Sequence, residues 1–111
     1  MLSNGIYSLI ALALDGDEVE VGGVLMLRDG EIYGGDSYVF YGGTYESSAG
    51  KWKGEMISKE HTPTNRPIME RVQRIVFTGT YNGSEIEADA TAHVGKQRIR
   101  YTATPRLLEA S

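Results

Sequence analysis

EIYGGDSYVFYGGTY, residues Glu31–Tyr45, decides how this chain folds. Its Ile, Tyr, Val, Phe and Thr residues are those of β-strands, yet it carries two Gly-Gly pairs, Gly34-Gly35 and Gly42-Gly43. Glycine weakens a strand, because it brings no side chain to pack and loses the most backbone entropy on ordering. Such residues belong where a strand must bend or let another backbone approach closely. No glycine-rich stretch here leads into a helix, as a phosphate cradle would require.

The same strand language continues on either side. Turn dipeptides recur at short intervals: Asp15-Gly16, Asp29-Gly30, Ala49-Gly50, Asn82-Gly83 and Gly95-Lys96. Between them the side chains alternate. Ile86, Ala88, Ala90, Ala92 and Val94 share one face, and Glu85, Glu87, Asp89, Thr91 and His93 the other. Trp52, Gly54 and Met56 alternate with Lys51, Lys53 and Glu55. The pattern predicts strands over 5–14, 18–28, 31–35, 37–47, 51–60, 71–81, 84–94 and 97–104. Only His61–Glu70 breaks the rhythm, a proline-bearing loop with room for one helical turn at Pro67–Arg71. Gly43–Met56 and Gly79–Ala90 both run Gly-Thr-Tyr, turn, alternating strand, which reads as two similar hairpins of one sheet.

About eight antiparallel strands joined by tight turns form a meander, and closing it into a barrel removes its exposed edges. The expected fold is therefore all-β: one domain over residues 1–111, an up-and-down antiparallel barrel of about eight strands. Its interior is either filled or left hollow enough for a small apolar ligand. Ala88, Ala90 and Ala92 are small for core positions, and with Trp52, Met56 and Tyr101 they are the expected cavity lining.

The first hairpin is apolar on both faces. Ile6, Ser8, Ile10, Leu12 and Leu14 form one, and Tyr7, Leu9, Ala11 and Ala13 the other, which Val24 and Met26 extend. A barrel strand needs only one apolar face, so the second is expected to be covered. A homodimer through Tyr7, Leu9, Ala11, Val24 and Met26 is one cover; the His61–Glu70 loop or the Pro105–Ser111 tail is another.

Composition narrows the chemistry. The chain lacks cysteine, which excludes disulfides, thiolate metal sites and a catalytic thiol. Its net charge of −4, with no basic block, does not suit direct nucleic-acid binding. Lys96, Arg98 and Arg100 are expected to pair across strands with Glu85, Glu87 and Asp89. The apolar run Ile6–Leu14 is too short to span a bilayer and has no basic lead-in; it reads as a buried strand, with a signal-peptide core as the alternative. A cytoplasmic location without membrane association is expected. His61 and His93 lack companion ligands, so no metal or other cofactor is anticipated. Asp36 follows a Gly-Gly bend and is expected to bond nearby backbone N–H groups there; a catalytic role at a barrel mouth is the weaker reading. An enzyme is not expected.

Asn4-Gly5-Ile6-Tyr7-Ser8 opens the chain, and Gly22-Gly23-Val24-Leu25 leads through Arg28-Asp29-Gly30 to Gly34-Gly35-Asp36. Over residues 4–45 this order resembles the GrlR-type negative regulators of type III secretion gene expression. The resemblance implies a small lipocalin-like barrel that dimerises and sequesters a transcriptional activator without catalysis, with Gly5, Tyr7, Gly34, Gly35 and Asp36 as structural motif positions. It also implies partner binding by an acidic surface loop. The matching loop here, Glu46–Gly50, has Glu46 as its one acid, so the Asp15, Asp17 and Glu18 turn is the further candidate for that role. A carrier or sensor of an apolar small molecule is the alternative function.

Overall fold

The computed structural model describes residues 2–13, 20–36, 39–62, 73–83, 85–94 and 96–110. Eight strands run β1 (Gly5–Ala13), β2 (Glu20–Arg28), β3 (Glu31–Gly35), β4 (Val39–Ser48), β5 (Lys51–Glu60), β6 (Gln73–Asn82), β7 (Glu85–Val94) and β8 (Gln97–Ala110). Each pairs antiparallel with the next, and β8 returns to β1, closing the barrel. The expected helical turn at Pro67–Arg71 lies outside the described residues.

The glycines of the opening stretch mark where strands come close. A Cβ at Gly34 would collide with the Val24 carbonyl oxygen and stand 2.6 Å from the Tyr41 ring. One at Gly43 would collide with the Glu55 carbonyl oxygen and stand 2.6 Å from Met56 Cα. The repeated Gly-Thr-Tyr segments also share a bond. The backbone N–H of Tyr45 donates to the Gly30 carbonyl, and that of Tyr81 to the Gly50 carbonyl, each at 2.8 Å. Each hairpin turn is thereby tied to the strand that follows its own hairpin.

Two differences from the expected strands have physical causes. β8 continues through Pro105 to Ala110, where an end near Thr104 was expected. Pro105 lies beyond Ala88–Ala103, the last β7–β8 pair at that end of the strand, so its missing N–H removes no bond to β7. It stays opposite Leu9 of β1 and is buried. The tail is therefore barrel wall, and does not fold over the first hairpin. Secondly, Arg98 and Arg100 face His93 and Thr91 across the β7–β8 ladder, while Glu85 and Glu87 face Asn82 and Thr80 on β6. Neither Arg98 nor Arg100 therefore lies directly opposite one of the three acids.

The interior is a single apolar core of inward side chains from all eight strands, capped at one end by Leu2. At that end the Tyr7 hydroxyl donates to the Ser3 carbonyl. The Asn4 side chain brackets Asp29, its amide donating to the carboxylate and its oxygen accepting from the Asp29 backbone N–H, both at 3.1 Å. The segment preceding β1 is thus latched onto the β2–β3 turn. No helix among the described residues is long and apolar enough to cross a membrane.

Candidate functional site

The first hairpin carries the largest correction. Tyr7, Leu9 and Ala11 are buried inside the barrel, and Leu9 and Ala11 line its hollow, so none of the three can be an outer contact residue. Register is the cause. Tyr7 lies opposite Leu25 and Leu9 opposite Gly23, whereas Val24 lies opposite Ser8 and Met26 opposite Ile6. Residues directly opposite in a ladder share a face, so Val24 and Met26 belong with Ile6, Ser8, Ile10 and Leu12.

Val24 and Met26 do face outward, and they lie within a broader apolar surface. One ladder row runs Ile6, Met26, Tyr33, Gly42, Ile57 across five strands. The row beside it contains Ser8, Val24, Gly35 and Phe40. Ile10, Leu12, Val24, Tyr33, Phe40 and Ile57 are each about half exposed, between 47 and 53%. The outer faces of β5 to β8 mix the two kinds: Lys51, Lys53, Glu55, Arg74, Asp89 and Arg98 are all exposed, and Arg74 pairs with Glu55 at 2.9 Å, while Val76 on β6 and Leu107 and Leu108 on β8 are exposed as well. Exposed large apolar side chains are densest on β1 to β4.

Inside is a hollow of about 90 Å3 with a mostly apolar lining. Ala88, Ala90, Ala103, Trp52, Met56, Phe77 and Tyr101 line it, Phe77 and Tyr101 flanking Ala90 on the adjacent strands; Ala92 is buried in the core but outside the lining. Trp52 is held by its indole N–H, which donates to the Glu87 carbonyl at 3.0 Å, and by Phe77, whose ring centroid is 4.7 Å away. Three polar or half-polar lining residues were missed in the sequence: Tyr41, Ser58 and Gln73. Ser58 stands in phase with Trp52 and Met56, and Gln73 in phase with Ile75 and Phe77, so a polar residue at an inward beat was the available signal.

Four inward tyrosines have hydroxyls pushed above their ordinary pKa, each chiefly by burial. The second cause is the neighbouring Tyr45 for Tyr7 and the Asp36 charge for Tyr41. At Tyr45 a backbone hydrogen bond with Gly30 works against the rise and the Asp29 charge adds to it; for Tyr101 burial acts alone. The Tyr41 hydroxyl donates to the Val24 carbonyl at 3.1 Å.

Asp36 closes the β3–β4 connection. Its carboxylate accepts from the Val39 N–H and its own N–H donates to the Val39 carbonyl, both at 2.9 Å. His61 Nε2 donates to the Asp36 carbonyl at 3.0 Å, joining the end of β5 to the same turn. Gly5, where a Cβ would collide with the Glu109 carbonyl oxygen, and Tyr7 lie at the opposite end. Glu46 is exposed on β4, with Lys53 opposite on β5. Asp15, Asp17 and Glu18 lie outside the described residues. No family model matches the chain, and no curated protein matches it.

Proposed function

We propose that the protein is a non-enzymatic regulatory barrel that works by protein–protein contact and pairs with a second copy of itself through the outer face of β1 and β2. The continuous outward apolar sector is the observation that carries this reading. An antiparallel barrel strand ordinarily turns its outer side chains to water. Here Ile6, Ile10, Leu12, Val24 and Met26 crowd onto one hairpin and continue into Tyr33, Phe40 and Ile57. A face of this kind favours a partner, and a two-fold contact makes one patch complete itself. Polarity also argues against a lipid-spanning barrel, whose lumen is polar and whose outside is apolar all round.

The resemblance over residues 4–45 supports the finer reading, a cytoplasmic negative regulator that sequesters a transcriptional activator. The acidic segment containing Asp15, Asp17 and Glu18 is the proposed activator contact, since the Glu46 loop is poor in acids. Changing these three residues to Asn, Asn and Gln is expected to weaken co-purification of the activator from the native host at least tenfold. Undiminished capture rules that segment out. Self-association is tested by the paired outer substitutions Ile10→Lys and Met26→Lys, followed by sedimentation.

A further inference from the structure

The basic residues of β6 to β8 gather on one outward row. Arg74 lies opposite His93 in the β6–β7 ladder, and His93 opposite Arg98 in the β7–β8 ladder, so the three stand side by side on adjacent strands. Residues directly opposite in a ladder share a face. Lys96 and Arg100 stand two residues to either side of Arg98, and Arg74, Lys96, Arg98 and Arg100 are all exposed. A chain of net charge −4 thus holds four of its eleven Lys and Arg residues in one patch. Outward acids begin only at its margin. Asp89 lies opposite Thr78 and Thr102, and Glu55 lies opposite Val76, although its carboxylate reaches Arg74. Among the described residues Arg98 has no ion pair.

The spacing of these cations describes what fits them. A strand rises about 3.4 Å per residue, so alternate side chains on one face stand about 7 Å apart. Lys96 and Arg98 follow that interval, and an extended peptide with Asp or Glu at every second position presents its carboxylates at the same one. Neighbouring strands are about 4.8 Å apart, which puts the Arg74 backbone about 10 Å from that of Arg98 and gives the patch the width of one such segment. A guanidinium takes a carboxylate through two parallel hydrogen bonds. One exposed pair contributes little by itself, so docking depends on several acids together. A nucleic-acid strand is the poorer fit, because its affinity grows with each phosphate neutralised and the negative remainder of this molecule repels a long polyanion.

We propose that the outer face of β6 to β8, around Arg74, His93 and Arg98, docks an extended acidic segment of a protein partner with Asp or Glu at alternate positions. The probe is a synthetic peptide of about eight residues alternating Glu with Ser. It carries a neutral dye and is titrated with the full chain by fluorescence anisotropy at about 20 mM salt, where screening is weak. The same length alternating Gln with Ser, and a short oligothymidylate strand, are the comparisons. Saturable binding of the Glu peptide is expected, weakening several-fold at about 150 mM salt. The Gln peptide should not bind, and the oligonucleotide should bind at least about threefold more weakly than the Glu peptide. Arg98→Gln should weaken the Glu peptide about threefold, and Arg74→Gln with Arg98→Gln about tenfold, with thermal midpoints unchanged because both side chains are exposed. Lys51→Gln removes one positive charge on β5, outside the patch, and should leave binding as it is. No saturable binding, equal binding of the Gln peptide, an oligonucleotide that binds as tightly, a double variant that binds like the natural chain, or an equal loss in Lys51→Gln each overturns the proposal. None of these substitutions touches β1, β2 or the Asp15–Glu18 segment, so the self-association and activator readings are decided separately.

Discussion

Gly42 and Gly43 are chain neighbours with opposite requirements. Gly43 points inward, where a Cβ would strike the Glu55 carbonyl, whereas a Cβ on outward Gly42 would meet Ile32 oxygen at 3.6 Å and the Tyr33 ring at 4.0 Å, ordinary contact. Gly43→Ala is therefore expected to cost about 1–3 kcal/mol in urea unfolding. Gly42→Ala should be neutral or gain up to about 1 kcal/mol from the lower entropy of the unfolded chain. Equal effects at the two positions contradict the close-approach reading. Ala49, with φ of 52°, occupies the left-handed region in the β4–β5 turn, at a strain of about 1–2 kcal/mol. Ala49→Asn should relieve part of it and raise the thermal midpoint; a lower midpoint counts against the turn geometry. The inward tyrosines give a pH dependence with a definite sign. Tyr7, Tyr41, Tyr45 and Tyr101 hold their protons more tightly folded than unfolded. Their contribution is complete below the ordinary tyrosine pKa of about 10 and is lost as pH rises through the higher folded values. Unfolding titrations should show stability falling above that point, and less steeply in Tyr101→Phe. A flat alkaline limb argues against their burial.

At the scale of elements, turn signals and alternation placed β1 to β7 within two residues of their ends. The facing of β1 was the exception. With apolar residues on both faces, alternation gives its period but not its phase, and only the register against β2 assigns Tyr7, Leu9 and Ala11 to the interior. That register is a long-range fact, invisible along β1 itself. β8 was cut short for a different reason: a proline reads as a stop unless the neighbouring strand is known to have ended its pairing already. The cavity was half legible. Small alanines at inward beats pointed to Trp52, Met56, Ala88, Ala90 and Tyr101, which do line it. Ser58 and Gln73 were hidden because polar residues in a strand are read by default as solvent-facing. The latch of Asn4 on Asp29 was likewise out of reach, joining residues 25 positions apart.

For the molecule as a whole, the division of its outer surface matters more than any single residue. Charged side chains are exposed on β5 to β8, and the apolar face of β1 to β4 is the one proposed to meet a partner. Sedimentation velocity over a wide concentration range tests this most directly, on the natural chain and on the Ile10→Lys, Met26→Lys variant, with Leu9→Lys as the inward control. The natural chain should sediment as a dimer. The outer variant should be a monomer whose thermal midpoint is unchanged, and the inward control should lose folding stability. A natural chain that stays monomeric, or an outer variant that still dimerises, contradicts the account.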